Sequence, residues 1–464
     1  MKPLRLRNYL GYATGDAANN LAFSMSSMFL LIYYTDVVGI SATAAGTLFL
    51  VVRFWDAFSD VFAGRLVDKT STRWGKFRPF ILFGSLPLLL LSVATFSVPD
   101  MSEGAQLAYA FVSYALLGLA YSLVNIPYGS MATAMTQAPA ERAKLATYRV
   151  YGSNLTILML ALVVAPQIRN SDDLQHSLTT TTLIFVAVGL VLYLFTFLTA
   201  VEQVPRDVPK VSVRQTVDTI KQNRPLGMLC VSSLMFLVGM FALQTIGIYY
   251  ARDVLGNANY YIVQTITQTA GTFLVAAYVP HIVRTVGKKQ GYIVLAAIGI
   301  AGGVGLALAP ASAPVVAFFF FFVIGIGMGG VNTLMWALEA DTVEYGEWKT
   351  GIRTEGITYA LFSFTRKQGQ AIGGAAAAYT IGIGGYIADS ASQPDSAVTA
   401  IRFAAGAVPA VVMGIAMAIM WAYPLTEGRF REIVREVAQR RVKREVAAAA
   451  AAARPESAEP VIDQ

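Results

Sequence analysis

Arg53, Asp56 and Asp60 are spaced i, i+3 and i+7 in an otherwise apolar stretch. A helix puts all three on one face, with Ser59 beside them. At ~4 Å and an effective dielectric near 20, two carboxylates repel by about 4 kcal/mol. In a dry interior either a cation binds between them or one carboxyl holds a proton. Both outcomes suit a cation-coupled carrier. The alternative is an Arg53–Asp56 ion pair that only joins helices, with Asp60 as a helix-end charge.

Other ionic side chains stand in similarly apolar surroundings. Asp16 and Arg149 are two. Lys367 lies among Ser363, Thr365, Gln368 and Gln370. Its neighbour Arg366 points about 100° away on a helix, so one cavity favours one of the two. Arg149 and Lys367, one from each half of the chain, could clamp an anion. Arg suits a carboxylate in bidentate geometry, and Lys acts more as a point charge. Alternatively, Arg149 anchors a helix at the membrane edge and Lys367 pairs with an aspartate across an interface. Asn19, Asn20 and Asn125 are amides that donate and accept, as a polyol requires. Tyr128, Trp336 and Tyr359 could stack on a sugar face or serve as ordinary packing. Ser122 and Asn332 are weaker polar candidates.

These residues must be positioned by membrane-spanning helices. Of 464 residues, 55% are hydrophobic and 14% charged, against about 25% charged in a soluble domain. Mean hydropathy is +0.55. That balance excludes a soluble enzyme, a disordered chain and a nucleic-acid-binding module. One cysteine and two histidines exclude a disulfide framework and argue against a metal centre. A spanning helix needs about 20 mainly apolar residues. Twelve such runs are read at 9–34, 44–66, 79–98, 105–132, 147–165, 180–201, 226–250, 258–282, 291–308, 314–338, 356–385 and 400–423. They lack the alternating polarity of barrel strands. The fold class is therefore an all-α membrane protein. It divides into a six-helix bundle (1–201), a central loop (202–225), a second six-helix bundle (226–425) and a tail (426–464).

Basic residues collect on one side: Lys2, Arg5 and Arg7; Arg65, Lys69, Arg73, Lys76 and Arg78; Arg142 and Lys144; the central loop; Arg284, Lys288 and Lys289; Lys349 and Arg353; and eight in the tail. The other side holds little beyond Arg169, Arg252 and Arg402. The positive-inside rule puts both termini in the cytoplasm. The net charge of +7 reads as this bias plus attraction to anionic lipid heads, not as a nucleic-acid partner. The first run carries Asp16, Asn19 and Asn20 and is followed by no cleavage site, so it is expected to stay as a signal anchor. The tail is expected to form a cytoplasmic helix that frays into disorder.

The basic loop Gly64-Arg65-Leu66-Val67-Asp68-Lys69 through Arg73-Trp74-Gly75-Lys76-Phe77-Arg78 resembles the cytoplasmic signature of the major facilitator superfamily. Residues 284–289 form a degenerate echo of it. That superfamily implies two six-helix halves rocking about a midplane site. The stretches Tyr34-Thr35-Asp36-Val37, Arg53-Phe54-Trp55-Asp56-Ala57-Phe58-Ser59-Asp60, Asn125-Ile126-Pro127-Tyr128 and Ala340-Asp341-Thr342-Val343-Glu344 extend the likeness. In order along nearly the whole chain, they resemble the glycoside–pentoside–hexuronide:cation symporters. Within that family the likeness is strongest to glucuronide carriers, through Gly15-Asp16-Ala17-Ala18-Asn19-Asn20 and Phe362-Ser363-Phe364-Thr365-Arg366-Lys367.

The resemblance implies roles. Asp56 and Asp60 match cation-binding aspartates of the melibiose-transporting members, with Ser59 in place of an asparagine and Ser122 in place of a threonine. Arg149 and Lys367 match retained cations at the sugar site and helix interface. Asn20 and Asn125 stand where those members carry sugar-binding aspartates, and Gly129 replaces a tryptophan. An amide keeps the hydrogen bonding and drops the charge that would repel an anionic sugar.

The resulting expectation is a symporter importing β-glucuronides with a coupled cation, H+ with Na+ as the alternative at Asp56/Asp60. Substrate contacts are assigned to Asp16, Asn20, Asn125, Tyr128, Arg149, Trp336 and Lys367. Gating is assigned to Arg65, Asp68, Arg78, Asp341 and Glu344. No cofactor and no enzymatic activity are expected. The partners are a small glycoside and the lipid bilayer, and the protein is expected to work as a monomer in a bacterial inner membrane. Rival readings are an importer of a neutral oligosaccharide or pentoside, a membrane-embedded lipid enzyme, and a sugar sensor.

Overall fold

The computed structural model describes residues 3–70, 72–136, 138–203, 221–351, 355–388, 390 and 392–452. Among these the regular structure is helical, with one isolated bridge, Thr72 to Gly75. The first half comprises α1 (Leu6–Ile32), α2 (Ala42–Lys69), α3 (Arg78–Thr95), α4 (Glu103–Met135), α5 (Pro139–Asn170) and α6 (Leu174–Thr199). The second half comprises α7 (Arg224–Val254), α8 (Tyr260–Leu308), α9 (Pro314–Thr350), α10 (Glu355–Ile383) and α11 (Asp395–Trp421). A last helix, α12 (Glu427–Ala452), follows.

Local chemistry explains where the helices start and stop. Proline in the first turn opens α3, α5, α7 and α9, where its missing N–H goes unneeded. Asp173 caps α6 by accepting from His176 N at 2.9 Å, and Asn223 caps α7 by accepting from Leu226 N at 3.1 Å. Gly351 ends α9 in the left-handed region, φ 73°.

The helix α8 has 49 residues and bends at Gly287, φ 83° and ψ 167°. It therefore crosses twice, and the basic segment 284–289 is an elbow rather than the loop the sequence indicated. Counting its two arms, the bundle makes twelve crossings. Eight of the described helices, α8 among them, are long and apolar enough to span a membrane on composition alone. Helices α1, α2 and α10 are not among them, and these three carry Asp16, Arg53, Asp56, Asp60, Arg366 and Lys367. Several helices outrun the apolar runs that marked them. The fifth starts at Pro139 rather than 147, and the tenth crossing ends at Thr350 rather than 338. Apolarity marks the part of a helix that meets lipid, while backbone hydrogen bonding carries the helix beyond it.

The halves meet where α2 packs on α10, α1 on α7, and α5 on α8. Small residues permit the closest approach: a Cβ on Gly46 would lie 3.2 Å from that of Ala378, and one on Gly382 would lie 2.7 Å from Thr43. The expected central loop 202–225 falls mostly outside the described residues. The tail helix α12 is anchored on α9: Trp348 Nε1 donates to Glu436 at 2.7 Å, and Ile433 and Val437 are buried. Residues 453–464 lie outside the described set.

Candidate functional site

Between α1, α2, α4 and α10 lies a cavity of about 50 Å³. Its wall includes Phe23, Arg53, Asp56, Tyr121, Ser122 and Lys367. That volume holds a cation with little water. A glycoside needs more, a binding pocket being about 300 Å³ or larger. Arg53 Nη1 donates to Asp56 Oδ2 at 2.8 Å and Nη2 to Tyr114 Oη at 3.2 Å. Asp56 Oδ1 is buried with no hydrogen-bond partner. It sits against Gly118, where a Cβ would come within 2.2 Å of it. The missing side chain on α4 is what lets the carboxylate lie there.

Asp60 accepts from Ser122 Oγ at 2.7 Å and is paired with Lys367 Nζ across the two halves. The two ion-pair alternatives read from the sequence, Arg53 with Asp56 and Lys367 with an aspartate across an interface, are thus both present in this conformation. Ser59 is buried and turns its hydroxyl to the carbonyl of Trp55, 3.1 Å away, not to the carboxylates.

A third ionic pair lies between α1 and α5. Arg149 Nε donates to Asp16 Oδ1 at 2.8 Å, and its guanidinium lies 5.5 Å from the Tyr128 ring centroid. Asn20 Nδ2 donates to Asp16 Oδ2 at 3.1 Å, and Asn20 Oδ1 accepts from Ser24 Oγ at 2.7 Å. Asp16 is nearly enclosed, its side chain 6% exposed; that of Arg149 is 38% exposed.

The remaining candidates scatter. Tyr128 is wholly buried, stacked on Tyr12 at 4.7 Å and donating to the Tyr12 carbonyl at 2.6 Å. Asn125 is half-buried on α4, two residues before Pro127. Trp336 is partly exposed on α9 with the Arg366 guanidinium 4.9 Å from its ring centroid; Arg366 also donates to Asn332 at 3.2 Å. Among the gating candidates, Arg78 Nε donates to the Phe197 carbonyl at 3.0 Å and Lys288 pairs with Asp341 at 2.6 Å, each within one half. Glu344 lies one turn beyond Asp341 on α9, and Arg65 is exposed near the end of α2. The side chains of Asp68, Tyr359 and Ser363 lie outside the described set.

One cluster escaped the reading of the sequence. At the face opposite the chain ends, Arg252 on α7 pairs with Asp36 at 2.5 Å and Asp253 at 2.8 Å. Tyr386, just past α10, also bonds Arg252 and donates to both Asp36 oxygens at 2.9 Å. Thr35 meets Tyr249 at 2.8 Å. The cluster ties the first half to the second at that face. Asp36, Arg252 and Asp253 sit in π-helical turns and Tyr386 in a loop at a helix end, where charge is unexceptional. The available signal was Asp36 within Tyr34-Thr35-Asp36-Val37 and Arg252 on the side poor in basic residues.

Ionic side chains lining an interior cavity in a twelve-crossing bundle are the layout of a solute carrier, and the family comparison agrees. A family model described as MFS/sugar transport protein matches residues 11–427. The chain belongs to this family. It is a membrane sugar transporter of the major facilitator superfamily, not an enzyme, as the motifs implied. It is 46% identical to the glucuronide carrier protein homolog of Escherichia coli (strain K12), over 94% of this chain and 96% of that protein. It is 32% identical to the isoprimeverose transporter of Lactiplantibacillus pentosus, over 87% of this chain and 85% of that one. Among solved structures it is similar to a bacterial homolog of the human lysosomal transporter Spinster in an inward-facing, unoccupied conformation. There the TM-score is 0.65 at 12% identity, covering 92% of this chain and 97% of the other, a likeness of fold.

Proposed function

We propose that this sugar transporter is a secondary active symporter importing β-glucuronides with a coupled cation. The observation that carries the reading is a set of three neutralised pairs inside membrane helices: Asp16–Arg149, Asp56–Arg53 and Asp60–Lys367. Charges in lipid are costly and usually serve a solute pathway. In the structure these charges neutralise one another. A cation entering between Asp56 and Asp60 competes with Lys367, frees it, and weakens the link between α2 and α10. The orphaned Asp56 Oδ1 provides an acceptor there. A proton fits this small site, and Na+ is the alternative.

The glucuronide assignment draws on the relative named a glucuronide carrier homolog, and on Arg149 as a partly exposed guanidinium suited to a sugar carboxylate. Asn20 and Asn125 would bond hydroxyls. The protein would act as a monomer in the bacterial inner membrane, with both termini cytoplasmic. With that sidedness the Asp36–Arg252–Tyr386 cluster would lie at the outer face, where it would hold the halves together.

A second reading, import of a neutral pentoside or oligosaccharide, is favoured by the relative named an isoprimeverose transporter. One experiment separates them: uptake of radiolabelled β-glucuronide into right-side-out vesicles, with H+ and Na+ gradients imposed separately and glucuronate or a neutral glycoside as competitor. The proposal expects gradient-driven accumulation blocked by the anion. No accumulation of the glucuronide under either gradient, with gradient-driven uptake of a labelled neutral glycoside, supports the second reading and rejects the first.

A further inference from the structure

Asp16 stands apart from the coupling carboxylates. It is a full turn from Asn20 on α1. Around it stand Arg149 from α5, Tyr121 and Tyr128 from α4, and Tyr193 from α6, besides Asn20 of its own helix. Of these only Arg149 carries charge at neutral pH. The pair is unevenly exposed, so a solute can reach the guanidinium while the carboxylate stays enclosed.

An anionic ligand on Arg149 would therefore leave Asp16 as a buried carboxylate without its cation. A low-dielectric site does not hold such a charge, and the group neutralises instead. Resting on the reading that the cargo is an anionic glycoside, we propose that Asp16 yields Arg149 to the sugar carboxylate and takes up a proton in its place. One O–H bond forms on Asp16, with the proton drawn from water, and the guanidinium exchanges one carboxylate for another. No bond of the sugar changes. The site is neutral before loading, as Asp16⁻ with Arg149⁺, and neutral after it, as protonated Asp16 with the sugar anion on Arg149⁺. Asp16 thereby links a proton to cargo binding itself, separately from the Asp56/Asp60 site.

The test is isothermal titration calorimetry of the purified full chain in two buffers of different ionisation heat. The probes are p-nitrophenyl β-D-glucuronide and its neutral counterpart, p-nitrophenyl β-D-glucoside. Wild-type protein is expected to capture about one more proton with the glucuronide than with the glucoside. Its glucuronide affinity should fall roughly tenfold per pH unit on the alkaline side. In Asp16→Asn the extra proton disappears and the affinity flattens with pH; in Asp16→Glu both return. An Asp56→Asn protein still shows the extra proton. Equal proton counts for the two probes in wild type overturn the proposal while leaving glucuronide import standing, and need no variant to fold. Loss of the extra proton in Asp56→Asn but not in Asp16→Asn also overturns it. Binding of the glucoside with no glucuronide binding at any pH rejects the substrate reading and this proposal together.

Discussion

At the residue scale, each interior carboxylate is held by a cation on a different schedule of sequence distance. Arg53 reaches Asp56 within one helix turn, whereas Lys367 reaches Asp60 across 307 positions. The charged positions were legible because Asp, Arg and Lys are conspicuous in apolar runs. Their partners were not, since pairing is tertiary: the sequence showed Arg149 and Asp16 without showing that they meet. Replacing Asp56 with Asn is expected to abolish uphill accumulation while exchange of substrate down its gradient continues; vesicle counterflow beside gradient-driven uptake measures both. Undiminished accumulation removes Asp56 from coupling. Replacing Arg149 with Gln removes a charge-assisted bond worth about 1.5–3 kcal/mol. Glucuronide affinity should fall roughly 10- to 100-fold, with a much smaller change for the neutral glucoside. Equal losses for the two ligands would disprove a carboxylate contact.

At the element scale, the basic loop after α2 has a structural task that its resemblance to a signature did not reveal. The Glu202 carboxylate accepts from the backbone N–H of Lys76, Phe77 and Arg78 at 2.7, 2.9 and 3.1 Å. It satisfies the open start of α3 and opposes the helix dipole favourably. Gly75 makes this possible: its φ is +104°, and a Cβ there would stand 2.6 Å from the Glu202 carboxyl. Gly75→Ala is expected to cost about 1–3 kcal/mol and to raise amide exchange over residues 76–80. Unchanged exchange would show the cap to be dispensable.

A second tether lies at the start of α5. Glu141 accepts from Thr136 Oγ1 at 2.5 Å and from the Leu4 amide at 3.0 Å. Those bonds, the Thr136 one foremost, hold its carboxyl below the usual carboxylate range. A depressed acid stabilises the folded arrangement above its unfolded pKa and loses that contribution as pH falls through the folded one. The N-terminal tether should therefore hold at neutral pH and release only below the ordinary carboxylate range. Exchange of the Leu4 amide, corrected for its intrinsic rate, reads this out; release near neutral pH would contradict it. Helix existence was readable from apolar runs, but helix ends were not, because polar turns continue past the lipid with their hydrogen bonds intact.

At the scale of the whole molecule, two locks join the halves at different depths: Asp60–Lys367 in the interior, and the Arg252 cluster at the face away from the chain ends. The twelve-crossing plan was legible from the spacing of apolar runs. The contacts that join the halves at that face were not, because they depend on which helix tips touch. Arg252→Gln leaves Asp36 and Asp253 facing each other without their cation. Breaking a largely buried pair in this way costs about 3 kcal/mol. The expected result is faster amide exchange over 33–40 and 249–256, with the interior of α7 unaffected. Exchange unchanged at both tips would mean that the cluster does not hold the halves together at that face.

The three crossings without a long, weakly charged apolar window among the described residues bear on how the chain enters its membrane. Helices α1, α2 and α10 carry the interior ions, and two of them emerge from the ribosome early. Asp16 waits for a guanidinium 133 residues downstream, and Asp60 for an ammonium that arrives only with the eleventh crossing. During synthesis α2 must therefore keep Asp60 hydrated, at the bilayer edge or against the insertion machinery, until α10 docks. In nascent chains arrested before residue 367, a cysteine placed at position 59 of a Cys230→Ser chain should react with a water-soluble maleimide, and in chains arrested after α10 has emerged it should not.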